Sequence, residues 1–201
     1  AAIWYCDLRG FTRLADRTPP AEMIALLDGY FDCVATPVQE GGGEVLNFIG
    51  DGMLALFRCQ GCGEAVACAR ALEAAVGALD RLDALNQTRA IEKGEPLDIG
   101  IALHLGEVMY GNVGAANRLD FTVIGAAVNL VARLESRCAA LGQKLLASSD
   151  FAARCPGGAL RSLGSHHLRD VAQPIEIFTL AGQEAESAAP AVRSDRRSAR
   201  R

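Results

Sequence analysis

Four side chains carry most of the chemistry open to this sequence: Asp7, Asp51, Asn129 and Arg133. Asp7 closes an apolar stretch, AAIWYCDL, and RGFT follows it. Gly10 permits a tight turn there, and Phe11 and Thr12 open the next segment. Backbone N–H groups at a strand-to-helix junction of this kind can hold phosphate oxygens, and an acid beside that cradle can hold a divalent cation. Aspartates also end strands for turn reasons alone, so this stretch by itself reads either way.

Asp51 lies in EVLNFIGDGMLALF, where two apolar runs flank Gly-Asp-Gly. Asp-Gly between apolar runs is the strongest short-range hairpin signal and predicts a type I′ turn with Asp51 at its tip. A turn residue is the plain reading. Taken with Asp7, two acids on neighbouring strands can converge, and two carboxylates plus substrate phosphates are the usual way magnesium is held. Two such ions ~3.5–4 Å apart can activate an attacking oxygen and stabilise a leaving one. Asn129 and Arg133, in AAVNLVARLE, are four apart and share one helix face. An arginine beside Val128, Leu130, Val131 and Leu134 needs a partner or waits for a ligand, and its planar fork suits phosphate. The plain alternative is the polar edge of an amphipathic helix. Asn47 is a further oddity, an uncharged polar residue in an otherwise apolar strand.

The elements that must position these residues follow from periodicity. Residues 2–7 read as a buried strand and RGFT leads into a helical region. Met23, Leu26, Leu27, Tyr30, Phe31, Val34 and Val38 recur at a helical period, opened by Pro20 and ended by glycines 41–43. The hairpin 44–57 comes next, then a helix over about 64–88 that KGEP breaks. LDIGIALHLGEVMYGNVG predicts two strands around a Gly106 turn, LDFTVIG another strand, and AAVNLVARLESRCAAL a helix running to Gly142. KLLAS and IEIFTL complete the strands. The order β-α-β-β-α-β with later additions predicts an α+β sheet with helices packed on one face.

The bulk numbers exclude several classes. With 201 residues, half of them hydrophobic and 22% charged, the chain has the size and balance of one globular domain. A net charge of −4 leaves no basic footprint for nucleic acid. No apolar run approaches the ~20 residues that span a bilayer. A chain that opens inside a strand, with no signal peptide, reads as a cytoplasmic domain cut from a longer protein. Seven scattered cysteines point to reduced thiols, and the Cys59–Cys62 CxxC lacks the second pair of a zinc site. His104 in its apolar strand reads as a core histidine, and His166 and His167 as surface residues. Residues 182–201 collapse to Ala, Ser, Gln and Arg and read as a disordered basic tail.

YCDLRGFT, GGEVLNFIGDGMLALF, IALHLGEVMYGNVG and RLDFTVIGAAVNLVARLE, in that order, resemble the class III nucleotidyl cyclase catalytic domain, of bacterial adenylate cyclase type, from Asp7 to about Leu180. The resemblance implies a ferredoxin-like βαββαβ palm with additional C-terminal strands over residues 1–181. It implies an antiparallel homodimer with active sites at the interface. Asp7 and Asp51 would hold two Mg2+ or Mn2+ ions, with the Leu8 carbonyl completing a shell. The backbone of Arg9, Gly10, Phe11 and Thr12 would cradle phosphates. The partner copy would supply Asn129 for the ribose and Arg133 for charge on the α-phosphate. Arg169, in HHLRDV, stands where a phosphate-binding lysine is usual.

Two positions depart from the adenylate cyclase pattern. Asn47 stands where the purine-reading lysine is usual, and Thr122 where many members have aspartate. Losing a charged hydrogen bond worth ~1.5–3 kcal/mol from the transition state would cost about one to two powers of ten in rate. Asn and Thr both donate and accept, so the pair can turn to suit adenine or guanine. The family's balance favours ATP. The glutamate that guanylate cyclases tend to carry at position 47 is absent. GTP as substrate, or a non-catalytic nucleotide-binding or dimerisation module, are the alternatives. The resemblance also places any regulatory domain outside this chain.

Overall fold

The computed structural model describes residues 1–115 and 118–182, with side chains described outside 112–122. The expected tail therefore lies, from residue 183 on, outside the described residues, as does the Thr122 side chain. In chain order the elements are β1 (Ala2–Leu8), α1 (Phe11–Ala15), α2 (Pro20–Glu40), β2 (Glu44–Ile49), β3 (Gly52–Phe57), α3 (Glu64–Ile91), β4 (Ile99–Leu105), β5 (Met109–Ala115), β6 (Arg118–Ile124), α4 (Ala126–Glu135), β7 (Leu145–Ser148), α5 (Ser149–Ala152), β8 (Leu160–His166) and β9 (Ile175–Leu180).

A seven-stranded sheet runs in the order β2-β3-β1-β4-β7-β9-β8, with β1 flanked on both sides by antiparallel partners. The β4–β7 pair is parallel. Strand alternation splits the core in two. Ala2, Trp4, Cys6 and Leu8 of β1 face α2 and α3, where Tyr30, Val34 and Val38 meet an alanine ladder of Ala67, Ala71, Ala75 and Ala78. Small side chains on α3 let the two long helices lie close to the sheet and to each other. The shorter α4 covers the opposite face, packing Val131 and Leu134 on Ile3, Leu54, Leu56 and Ala102.

Three local differences from the sequence reading have physical causes. β5 does not pair with β4: both edges of β4 are taken, by β1 and β7, so the chain leaves the sheet after Gly106 and β5 pairs with β6 in a separate two-stranded sheet. α4 stops at Glu135 rather than continuing to Gly142. Ser136 Oγ donates to the Arg133 carbonyl at 2.7 Å, a local bond that competes with the helical ladder, and turns follow. β8 escapes sequence detection because LRSLGSH is an exposed edge strand, bulged between Ser162 and Gly164, with no apolar alternation.

His104 is a core histidine, 6% exposed, its Nδ1 2.7 Å from Ser148 Oγ. The cysteines are all free thiols; Cys62 Sγ donates to the Arg58 carbonyl at 3.2 Å. No helix among the described residues is long and apolar enough to cross a membrane.

Candidate active site

The antiparallel β1–β3 pairing sets Cys6 opposite Met53 and so brings the end of β1, with Asp7, beside the β2–β3 turn, with Asp51. That turn sits one residue earlier than Asp-Gly implies. Ile49 pairs with Gly52, leaving Gly50 and Asp51 as the loop, and Gly50 alone takes a left-handed φ of +64°. Glycine at the first central position is the type II′ pattern, not type I′. Gly52 answers a different need. A Cβ there would stand 2.9 Å from the Cys6 carbonyl oxygen and 3.1 Å from Asp7 Oδ1. Gly52→Ala is therefore expected to push β1 from β3 and displace Asp7, lowering stability by about 1–3 kcal/mol in urea unfolding and lowering activity in parallel. A variant as stable as the parent would contradict this.

The two carboxyls lie within hydrogen-bonding reach of each other. Burial, then the Asp51 charge and the hydrogen bond to Asp51, raise Asp7 to about 6, against a lowering contribution from the Leu8 amide. Two carboxyls brought this close favour a divalent cation between them, because the cation offsets the repulsion of their charges. Among the described residues no group of three or more His, Cys, Asp or Glu is placed to hold a metal. The pair would thus need backbone and substrate oxygens to complete a shell. Leu8 has a buried side chain and can contribute only through its backbone.

Sequence reading missed a third acid. The Glu135 carboxyl occupies the space a side chain at Gly100 would need, and Gly100 pairs with Asp7. Burial, then the Asp7 charge, raise Glu135 to about 7, offset in part by Arg9. In sequence, a glutamate on an amphipathic helix reads as solvated, which hides it. Its folded pKa lies above its unfolded value, so this group makes folding less favourable as pH rises from about 4.5 to about 7. Asp7 acts in the same direction over its own window. Glu135→Gln is expected to stabilise the metal-free protein at pH 8 by about 1 kcal/mol, after discounting for solvent screening, and to flatten the pH dependence. Urea unfolding at pH 5 and 8 checks this; a variant less stable at pH 8 would refute it.

Arg9 is spoken for within the chain. Its amide donates to the Asp98 carbonyl at 2.8 Å, Nη1 pairs with Asp98 Oδ2 at 2.7 Å, and Nη2 donates to the Gln143 carbonyl at 2.6 Å. The cradle that remains is the backbone from Gly10, at φ +70°, into Phe11 and Thr12 at the start of α1. The first N–H groups of a helix have no intrahelical partner.

Asn129 and Arg133 share the outer face of α4, while Ala127, Val131 and Leu134 are buried on the other. Arg133 Nη1 donates to the Asp170 carbonyl at 3.2 Å. Asp170 Oδ2 lies 3.7 Å from Arg133 Nη2 and 3.5 Å from Arg169 Nε, so the two arginines are gathered at one place. Among the described residues no hydrogen bond or ion pair joins this group to Asp7 and Asp51. Asn47 faces the α4 side of the sheet, opposite Leu54, after a bulge between Val45 and Asn47 that re-aims the strand. The Thr122 backbone pairs with Gly111.

The family model for the adenylate and guanylate cyclase catalytic domain matches residues 1–153. An adenylate cyclase from Anabaena cylindrica is 34% identical over 148 residues, 72% of this chain and 28% of that protein. The chain thus spans little more than a quarter of the length of that relative. Among solved structures, the adenylyl cyclase CyaB from P. aeruginosa superposes with a TM-score of 0.81 at 25% identity, covering 91% of this chain and 94% of the other. A guanylyl cyclase crystal structure superposes at 0.74 with 32% identity, covering 90% and 91%. On the order of its strands, the placing of its acids and the extent of these matches, the chain belongs to the adenylate and guanylate cyclase catalytic domain family.

Proposed function

We propose that this domain is an adenylate cyclase, converting ATP to 3′,5′-cyclic AMP and pyrophosphate in intracellular signalling. The observation that carries the reading is the acid pair at Asp7 and Asp51, brought together within hydrogen-bonding reach, with Asp7 raised first by burial and then by its neighbour. Asp7, Asp51 and the Leu8 carbonyl would hold two Mg2+ or Mn2+ ions, which when bound supply a lowered pKa at the ribose 3′-OH and neutralise triphosphate charge. The remaining work falls to the chain's own groups. The backbone at Gly10, Phe11 and Thr12 cradles phosphates. Asn129 positions the ribose, so that the 3′-oxygen lies in line with the α-phosphate. Arg133 donates to the oxygens on which charge grows in the transition state, and Arg169 holds the leaving pyrophosphate. Asn47 and Thr122 meet the purine edge.

The acids and the arginines belong to different copies in this reading. Support comes from the exposed face of α4 that carries Asn129 and from the absence, among the described residues, of any bond joining the two groups in one chain. A homodimer, a cytoplasmic setting and an attached regulatory domain form part of the same proposal. The last draws on the small share of the Anabaena relative that this chain spans.

GTP is the second reading, favoured by the 32% identity to a guanylyl cyclase structure. Turnover of ATP and GTP measured side by side with Mn2+ decides it. Cyclic AMP is expected to form faster than cyclic GMP, and Asn47→Lys to raise the ATP rate about 10-fold by restoring a charged hydrogen bond. No cyclic product from either nucleotide would end the proposal.

A further inference from the structure

Asp170 is a residue that no role above requires, in a backbone state that argues for one. It lies in the loop between β8 and β9, in a turn closed by the Val171 amide on the Leu168 carbonyl at 3.3 Å. Its φ is +53°. The third position of a four-residue turn with positive φ favours glycine or asparagine. The turn is anchored, because Leu168 is 4% exposed in the core beneath α4. An aspartate held there directs its carboxylate between Arg133 Nη2, at 3.7 Å, and Arg169 Nε, at 3.5 Å. Arg169 is 92% exposed and Asp170 67%, so this is a solvated, exchangeable contact rather than a buried lock. The separate bond from Arg133 to the Asp170 carbonyl does not depend on the side chain.

We propose that the Asp170 carboxylate stands in for a substrate phosphate: it holds Arg133 and Arg169 together in the free domain and competes with the triphosphate for them. The inference rests on the reading of these two arginines as phosphate-binding groups. Two guanidinium groups directed at one point repel each other, and a single carboxylate between them relieves that repulsion. A triphosphate carries several times the charge and displaces it. The arginines are thereby gathered before substrate arrives, at the cost of a modest loss in affinity. Exposed ion pairs are weak and screened by salt, which sets the loss at about 3-fold.

The test measures inorganic tripolyphosphate binding by calorimetry on the whole chain, comparing wild type with Asp170→Asn, Asp170→Gly and Asp170→Glu. Asn and Gly are expected to bind about 3-fold more tightly, with the gap closing at high salt, while Glu stays near wild type. In turnover assays the first two should lower the KM for ATP and leave kcat within about 2-fold. A purely structural role would move melting temperature and not this charge-dependent split. Unchanged or weaker binding in both neutral variants, with native melting, overturns the proposal. So does a fall in kcat with KM unchanged, since that makes Asp170 an aligning support for Arg133. Absence of tripolyphosphate binding in all four proteins also overturns it. Improved tripolyphosphate binding in variants of a protein that forms no cyclic product sinks the cyclase reading and upholds this one.

Discussion

Asp51→Ala is expected to lower metal-dependent cyclic nucleotide formation by at least about 10^3-fold while leaving the fold as stable as the parent. The two halves of that expectation have separate grounds. The turn does not need an aspartate, because its left-handed residue is Gly50 and Asp51 has no positive φ to sustain. Alanine fits the second loop position without strain. The Asp51 charge and hydrogen bond, moreover, come next after burial among the causes that raise Asp7, so their removal relieves Asp7. Catalysis loses more. On the proposed reading one carboxylate could not hold two cations, and several kcal/mol of charge stabilisation would go with them. Turnover with Mn2+ and thermal melting of the same sample check both halves. Activity above a tenth of wild type would show that Asp51 is only a turn residue. A large drop in melting temperature would show that the turn depends on it.

Mixing Asp7→Ala chains with Arg133→Ala chains is expected to recover activity that neither variant has alone. Arg133→Ala by itself should cost about 10^2–10^3-fold, the usual loss when one donor to a transition-state oxyanion goes. A mixed dimer holds one site with both lesions and one with neither. With random pairing, half the dimers are mixed, so recovery should approach about a quarter of wild-type activity. The dependence on pairing makes the test sharp. If mixed dimers are shown to form and activity stays at the level of the single variants, the acids and the arginine serve one site within one chain. The proposed division between copies then fails.

Most of the palm was legible because its signals are local. The buried strand ending at Asp7, the α2 periodicity and the glycines that stop it are each written within a window of twenty residues or so. The convergence of Asp7 and Asp51 was legible too, since a hairpin beside a buried strand leaves few arrangements. What escaped depends on long-range competition. The partner of β5 is decided by β1 and β7 already occupying both edges of β4, which no pattern within β5 announces. Gly-Asp-Gly hid which glycine bends the chain and which makes room: Gly50 does the first and Gly52 the second. Glu135 and Asp170 escaped because a charged residue on a helix or in a loop has the same signature whether solvated or paired. Only packing against Gly100, or the approach of two arginines, tells them apart.

Arg9 ties together three parts of the chain: the end of β1, Asp98 on the approach to β4, and Gln143 on the approach to β7. In mechanical terms it is a cross-brace, and β1 is already hydrogen-bonded along both edges. The acid-bearing end is therefore the stiff member of the machine, a stator. The arginine-bearing end is braced differently: its turn is anchored by Leu168 in the core, and its two arginines meet at a solvated, exchangeable carboxylate. In the proposed homodimer, small rigid-body rotations between copies would then change how the two ends meet while the acid end keeps its shape.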